Sequence, residues 1–472
     1  MNSIQLALVD KYLIFFYLAT ILIVGFSFSR HERDNTDNFL LAGRRLSLPA
    51  FTATLVSTWY GGILGIGEFT YFYGLLNWVT QALPYYLFAV LFALFIAPKV
   101  RESRLYTIPD QLYQHYGKAT GLIGSIFIFF LVSPASHLLM LSILFSAIFG
   151  IPFWIAVLAS IIFSTIYVFW GGFKSVVKTD IIQFVLMFSG FLILVISLIT
   201  QYGGFSFLQQ NLPVTHLQLK GGQSTQYVVV WFFIALWTFV DPGFYQRCYA
   251  ARSPKVARRG ILISVGFWII FDFLTTISGL YARAIFKNIP GLMAFPQLGA
   301  ATLPPLLSGM FFIALLATIM STLDSNSFLA AVTFGRDIVW RFRKNTDINR
   351  ATQLGLIVSI LFSVLVLSLV PSVVKIWYLI GTLFIPALLL PLISIFIPFL
   401  KLSRLFTLIS MISSFIVTTG WLFIGIVQSN LTDLKFPGNI QPFFIGLGLS
   451  VILYGSGLFK NILYRKHGKA PD

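Results

Sequence analysis

The stretch "VSTWYGGILGIGEF" (Val56–Phe69) places adjacent glycines inside an apolar run, where a continuous helix would avoid them. Gly61 and Gly62 weaken the helix and release backbone carbonyl and amide groups from it. If the run crosses a membrane, such groups are tolerated only where they line a cavity or bind a ligand. The rest of the chain indicates whether this stretch is an interrupted membrane helix.

The composition is that of a membrane protein. Of the 472 residues, 57% are hydrophobic and 10% are charged, with a mean hydropathy of +0.88; soluble domains have about 25% charged residues. Continuous apolar runs of about 20 residues recur, which suits a bilayer core of about 30 Å and excludes a β-barrel. The single cysteine, Cys248, excludes an internal disulfide framework and a cysteine-based zinc site. We therefore predict an all-α polytopic membrane protein.

Thirteen apolar segments predict about 13 transmembrane helices, at about 11–29, 46–76, 78–97, 120–148, 152–171, 176–202, 225–246, 260–282, 303–334, 351–370, 373–398, 405–427 and 439–459. The first run ends in "RHER" (Arg30–Arg33) with no basic region before it, which is typical of a membrane helix rather than a cleaved signal. With the N-terminus outside, 26 of the 32 Lys and Arg residues fall in cytoplasmic segments, one of which runs from Arg247 to Arg259, and 6 in outer ones. This asymmetry predicts an N-out/C-in topology. The net charge of +17 then faces membrane lipid, and neither a nucleic-acid partner nor an obligate protein partner is expected.

A second interruption lies five predicted helices later, in "WTFVDPGFYQR" (Trp237–Arg247). Paired interruptions at corresponding positions point to the central site of a transporter. A five-helix unit that repeats must repeat upside down, which predicts a five-plus-five inverted-repeat core. The alternative is that the small residues only allow tight helix packing. The predicted parts of this single membrane domain (1–472) are an extra N-terminal helix and loop at 1–45, repeat 1 at 46–202, repeat 2 at 225–398 and two extra C-terminal helices at 403–459.

Small hydroxyl residues crowd the apolar stretch "LLATIMSTLDSNSFLAA" (Leu315–Ala331). Residues three and four apart share one face of a helix, and here that face carries Thr318, Ser321, Thr322 and Ser325. Asp324 flanks it. A hard cation needs several oxygen ligands to replace its water, and this face together with carbonyls freed near Ser57 and Tyr60 offers them. The alternative is hydroxyls that bond back to their own helix.

Ionisable residues inside predicted spans are functional candidates because charges at the bilayer centre are costly. Here they are Glu68, His137, Asp180, Asp241 and Asp272. Asp180 either reaches the hydroxyl face to bind an ion or caps its helix, and Asp241 either caps the helix after the second break or has a functional role. Asp272 and Glu68 are candidates for carrying a proton or meeting a cationic solute. His137 is more typical of a hydrogen-bonded core histidine.

Aromatic residues make up 17% of the chain, and most are expected to face lipid or the membrane interfaces. Trp59 and Trp237 differ from these because each lies beside a helix break. We predict that they form walls of a solute pocket, through stacking or cation–π contacts.

Four segments resemble the sodium:solute symporter family, which includes sodium-coupled sugar, proline, sialic-acid and choline transporters. They are "LAGRRLSLPAFTATLVSTWYGG" (41–62), "WGGFKSVVKTDIIQ" (170–183), "DPGFYQRCYAARSPKVARRG" (241–260) and "ATIMSTLDSNSFLAA" (317–331). The first looks like the family's first core helix and its preceding Gly-Arg turn. The others look like its "GG…tD.iQ" segment, its D-x4-QR stretch and its "MSTaDSql" ion-binding helix. The "TW.GG" fragment also resembles the choline-transporter branch. The resemblance implies a LeuT-like fold with extra flanking helices.

The resemblance also implies site residues. The principal sodium site would use the backbone carbonyls of Ser57, Tyr60 and Thr318 and the hydroxyls of Ser321 and Thr322. A second sodium site, present in some members, would use Asp180, Ser321, Asp324 and Ser325. The predicted solute-binding residues are Trp59, Gly61, Gly62, Glu68, Trp237 and Asp241, of which Trp237 matches the family's stacking aromatic. Sugar and proline carriers have a polar or acidic residue in place of Trp59, so their specificity does not transfer.

These features predict a secondary active transporter, not an enzyme, that carries a small organic solute with Na⁺ as the coupling ion by alternating access. We expect it in the cell membrane as a multi-pass protein, and the compact loops favour a bacterial inner membrane. One alternative is proton coupling in the same fold through Asp180, Asp324 or Asp272. The other is a sensor or channel-like protein on a transporter scaffold.

Overall fold

The computed structural model describes residues 4–27, 35–428 and 436–466, and in these ranges the chain is helical, with one isolated bridge between Leu46 and Ala251. The first ten α-helices are α1 (Leu8–Ser27), α2 (Thr36–Leu41), α3 (Leu48–Trp59), α4 (Ile63–Tyr73), α5 (Leu83–Phe95), α6 (Ala97–Glu102), α7 (Ile108–Tyr116), α8 (Lys118–Leu131), α9 (Ala135–Phe149) and α10 (Phe153–Tyr202). The next ten are α11 (Phe205–Asn211), α12 (Thr225–Ile234), α13 (Pro242–Ala250), α14 (Pro254–Ile285), α15 (Ala294–Thr302), α16 (Leu307–Val332), α17 (Ile348–Leu369), α18 (Val373–Phe396), α19 (Arg404–Gln428) and α20 (Pro442–Lys466).

Eleven helical stretches of the described residues are long and apolar enough to cross a membrane. One of them, α10, has 50 residues and would reach about 75 Å if straight, more than twice a bilayer core of about 30 Å. The sequence predicted two separate helices here, and the structure agrees: the backbone is non-helical at Gly172, where φ is 59° and ψ is −154°, so α10 has two halves joined by a kink. The broken pair α3–α4 is not among the eleven. The count of thirteen spans and the N-out orientation therefore stay predictions, and "RHER" lies outside the described residues.

Both predicted interruptions are present. After α3, a 3₁₀ turn at Tyr60–Gly62 leads into α4. After α12, a 3₁₀ turn at Ala235–Phe239 leads to α13, whose first residue is Pro242. Proline suits this position because its missing N–H would lack a helical partner anyway. Asp241 caps α13, since its Oδ1 accepts a hydrogen bond from the Gly243 amide at 2.6 Å. The helix-capping interpretation of Asp241 thus describes the structure.

The centre of the molecule is α16, whose residues are buried along almost its whole length. It packs against both halves of α10 and against α3. The start of α16 is held by the first helix: Asp10 Oδ1 accepts hydrogen bonds from the amides of Leu306, at 2.8 Å, and Gly309, at 3.0 Å. These are amides at the start of a helix, which have no partner within the helix itself.

The opposite end of α16 continues as a π-helical turn, Thr333–Trp340, and carries an ionic cluster. Arg336 Nη1 lies 2.9 Å from Asp110 Oδ2 and 2.6 Å from Asp337 Oδ1, and Arg341 pairs with both acids. The cluster joins this turn to α7. Burial alone would raise the pKa of Asp110, but Arg336 and Arg341 outweigh it and lower that pKa below its usual value.

Candidate ion and solute site

The hydroxyl face of α16 meets α3 and α10 in the core of the molecule. Ser321 Oγ lies 2.6 Å from Asp180 Oδ1 and 3.0 Å from Ser57 Oγ. Thr322 Oγ1 donates to the Thr58 carbonyl at 2.6 Å, beside the break between α3 and α4. The side chains of Ser321, Asp180, Ser57 and Thr322 are at most 5% exposed. The structure therefore brings together three of the five residues predicted for the principal sodium site.

The other two residues of that set lie nearby, Thr318 on α16 and Tyr60 in the turn after α3. The Thr318 hydroxyl bonds to the Ala314 carbonyl of its own helix at 2.7 Å. The Tyr60 hydroxyl donates to the Trp268 carbonyl at 3.0 Å. Their side chains are thus engaged elsewhere, while Tyr60 lies in the turn where the carbonyls at the end of α3 lose helical partners.

The residues predicted for a second sodium site divide into two groups. Asp180 accepts from Ser321 and from Thr54, and its Oδ2 lies 3.4 Å from Thr58 Oγ1. Asp324 instead accepts hydrogen bonds from Ser164 and Tyr167, on the part of α10 before Gly172. Among the described residues, no hydrogen bond joins the two carboxylates.

Arg247 completes the surroundings of Asp180. Its Nη2 lies 3.7 Å from Asp180 Oδ2, with both side chains fully buried. The same nitrogen donates to Thr58 at 2.7 Å, Ser325 at 2.8 Å and Thr54 at 3.1 Å. The charge count had assigned Arg247 to a cytoplasmic loop, and that assignment is wrong. The reason is that Arg247 belongs to α13, which follows the break and is buried. Its guanidinium therefore lies in the core, where Asp180 compensates its charge.

A cavity of about 170 Å³ lies beside this cluster. Four of the six residues predicted to bind solute line it: Trp59, Gly62, Trp237 and Asp241. Gly61 lies behind the wall, where an added Cβ would be 2.1 Å from Thr322 Cβ. Glu68 lies outside the lining, against the Gly291 segment, and its Oε2 is buried without a hydrogen-bond partner in the described part of the chain.

The cavity walls include seven Phe, Tyr and Trp side chains. Trp59 is held by three neighbouring rings, whose centroids lie 5.0 Å (Tyr85), 5.1 Å (Trp268) and 5.7 Å (Phe244) from its own. Other walls come from Trp231 and Trp377, and the Trp377 indole donates to Ser136 Oγ at 3.1 Å. Gly62, in the first break, leaves room for this wall, because an added Cβ there would lie 2.4 Å from the Trp377 ring.

Two ionisable candidates of the sequence analysis also lie at the site, and several other residues of the site were not predicted. His137 and Asp272 both line the cavity, and Asp272 Oδ2 accepts from the Tyr86 hydroxyl at 2.5 Å. Thr54 and Thr58 were missed, although their signal was readable: with Ser57 they follow the same spacing of three and four that marked α16. Trp377 and Tyr85 had no such signal, because only the packing of distant helices brings them to the cavity.

Comparisons with known proteins agree on one kind of molecule. The model of the sodium:solute symporter family matches residues 39–384. The sodium/glucose cotransporter of Vibrio parahaemolyticus is 26% identical over 387 residues, 72% of this chain and 70% of that protein. The sodium/pantothenate symporter of Escherichia coli (strain K12) is 25% identical over 372 residues, 74% of this chain and 76% of that protein.

Solved structures show the same fold. A Na⁺-coupled sialic acid symporter, in a substrate-bound outward-open state, superimposes with a TM-score of 0.78 at 18% identity, over 97% of this chain and 98% of that one. Mhp1, a nucleobase-cation-symport-1 family transporter, does so with a TM-score of 0.58 at 12% identity, over 90% and 95%. The predicted all-helical, LeuT-like fold is confirmed.

Proposed function

The chain belongs to the sodium:solute symporter family, so it is a multi-pass cell-membrane transporter that couples a small solute to sodium, and we propose where each binds. The coupling sodium binds between α3 and α16, and the solute binds in the adjacent aromatic cavity. In this proposal, each broken helix is the first helix of a repeat, with repeat 1 at 46–202 and repeat 2 at 225–398. The relatives named above are bacterial, which supports the inner membrane of a bacterium as the location.

The sodium ligands we propose are the carbonyl or hydroxyl oxygens of Ser57, Tyr60, Thr318, Ser321 and Thr322. One observation carries this proposal. Ser321 directs its single hydroxyl hydrogen to the Asp180 carboxylate at 2.6 Å, the stronger acceptor, and Ser57 directs its own to the Ala53 carbonyl at 2.9 Å. Their oxygens lie 3.0 Å apart with lone pairs left over, which suits a hard cation. Sodium there would tie α16 to the broken helix and so bias the alternating-access equilibrium.

The cavity favours a small organic cation as the solute. Tryptophans at positions 59, 231, 237 and 377 line it, and the faces of indole rings attract cations when water is excluded. Asp241 and Asp272 add carboxylates to the same lining, and its one Arg or Lys residue among those described, Arg247, is paired with Asp180. Gly61 serves in this proposal by letting α16 approach. Glu68 makes no direct contact with the solute.

The sodium site is tested by thermal stability in sodium against potassium at equal ionic strength. A ligand that binds only the native state raises its stability, so sodium should raise the melting temperature of the wild type. The variant Ser321→Ala/Thr322→Ala should lose this rise. A matched control is Ser363→Ala/Thr352→Ala, which removes two buried hydroxyls that bond back to their own helix α17. A sodium effect that survives in the first variant contradicts the proposed site.

Proton coupling is distinguished in the same assay. If sodium has no effect, and stability instead shifts with pH in a way that Asp180→Asn or Asp324→Asn abolishes, the coupling ion is the proton. These two variants test Asp180 and Asp324, which belong to the predicted second sodium site, separately from Ser321.

The solute class is tested with isosteres in the presence of sodium. A trimethylammonium alcohol and its neutral tert-butyl analogue have nearly the same shape and differ in charge. We expect only the cation to raise the melting temperature, and we expect Trp237→Leu to remove that effect. Equal stabilisation by both compounds, or stabilisation by carboxylates alone, would contradict a cationic solute.

A further inference from the structure

We propose that Arg247 is a resident cation that takes the place of a second sodium ion, so that this transporter couples its solute to one sodium. The inference rests on the proposed sodium site at Ser321, and it concerns the neighbouring position beside Asp180. That neighbouring position is the second sodium site that the sequence predicted.

The oxygen atoms available for a second cation are already bound to the guanidinium. Arg247 Nη2 contacts the hydroxyls of Thr58, Ser325 and Thr54 at 2.7, 2.8 and 3.1 Å, and the Asp180 carboxylate at 3.7 Å. Small hydroxyls around a single carboxylate form a typical oxygen shell for a hard monovalent cation. Here the shell encloses a nitrogen that carries positive charge.

Charge balance gives the same result. The second carboxylate predicted for this position, Asp324, is turned away and accepts from Ser164 and Tyr167. Asp180 therefore faces one fixed positive charge, and the pair is fully buried. A sodium ion added here, besides the one proposed at Ser321, would place a further positive charge against this single carboxylate at low dielectric, where repulsion over a few ångströms is strong.

The resident charge is permanent. A guanidinium stays protonated in proteins, unlike a lysine ammonium. The backbone of α13 anchors it, since Nη1 donates to the Gly243 carbonyl at 3.4 Å, and the guanidinium carbon lies 5.4 Å from the centroid of the Phe173 ring. Its Nε atom, buried and without a hydrogen-bond partner in the described residues, shows that the side chain is held by its end rather than along its length.

The test is the sodium-to-solute ratio, measured as paired radiotracer fluxes in proteoliposomes. For the wild type we expect one sodium per solute and a Hill coefficient for sodium near 1. For Arg247→Gln we expect a second sodium at Asp180 and a Hill coefficient that rises toward 2. Arg247→Gln/Asp180→Asn should return to about 1. Arg252→Gln is the matched control, since this arginine lies on the exposed segment just after α13, and it should keep the wild-type ratio.

Two outcomes would overturn the proposal: a ratio of two sodium ions in the wild type, or an unchanged Hill coefficient in a transport-active Arg247→Gln. A ratio of two in the wild type would overturn the proposal even if the variant fails to fold. These results are distinct from failure of the proposed function, in which the wild type would show no sodium dependence at all.

Discussion

Gly61→Ala should weaken sodium binding without removing any proposed ligand atom. An added Cβ would lie 2.1 Å from Thr322 Cβ and 2.2 Å from its hydroxyl oxygen. Carbon atoms in contact are at least about 3.5 Å apart, so α3–α4 and α16 must separate by roughly 1.4 Å. The Thr322 hydroxyl, now 2.6 Å from the Thr58 carbonyl, would then lie about 4 Å from it, beyond hydrogen-bonding distance.

The size of the effect follows from the cost of overpacking. Extra methyl groups in a well-packed core cost about 1–3 kcal/mol. If sodium binding must close this gap, the same energy opposes it, and each 1.4 kcal/mol corresponds to about a tenfold change in affinity. We therefore expect the sodium concentration for half-maximal stabilisation to rise by about 5- to 140-fold.

The assay is a sodium titration of the melting temperature, with potassium holding the ionic strength constant. Gly266→Ala on α14 is the control, because an added Cβ there meets nothing within 4 Å. The control should titrate like the wild type. If Gly61→Ala also keeps the wild-type half-maximal concentration within about twofold, the close approach at the first break does not contribute to the ion site.

Three further changes test other parts of the structure. Thr322→Val keeps the shape but removes the hydroxyl that donates to the Thr58 carbonyl, and the half-saturating sodium concentration for uptake should rise about tenfold. Trp237→Leu should weaken solute binding about tenfold or more, whereas the same change at Trp154, which is 56% exposed, should not. Because the pKa of Asp110 is lowered, its contribution to stability is complete above its unfolded pKa and disappears as pH falls through its folded pKa; Asp110→Asn should lower the melting temperature at neutral pH and flatten its decline in acid.

The parts of the site that depend on local chemistry could be predicted from the sequence. Glycine pairs and an Asp-Pro-Gly turn interrupt helices wherever they occur, so both breaks lie where expected. The hydroxyl spacing on α16 is likewise a property of one helix. Ser321 and Thr322 do face α3, where they contact Ser57 and the Thr58 carbonyl.

The pairing of buried charges could not be predicted in the same way. Arg247 precedes a basic loop, so counting charges along the chain placed it outside the core. Asp324 is three residues from Ser321, and spacing alone puts both on one face. The bend at Gly172 decides otherwise: α10 meets α16 with both of its halves, and one half binds Asp324 while the other presents Asp180 to Ser321.

The bond between the first helix and α16 has a mechanical meaning. Asp10, whose own side chain is buried, accepts hydrogen bonds from two amides at the start of α16, the helix proposed to carry the ion. Sliding α16 along its axis relative to α1 would break both bonds at once. We therefore expect α1, which lies outside the predicted repeats, to move together with α16, and we expect the broken helices to supply the motion of the transport cycle relative to this pair.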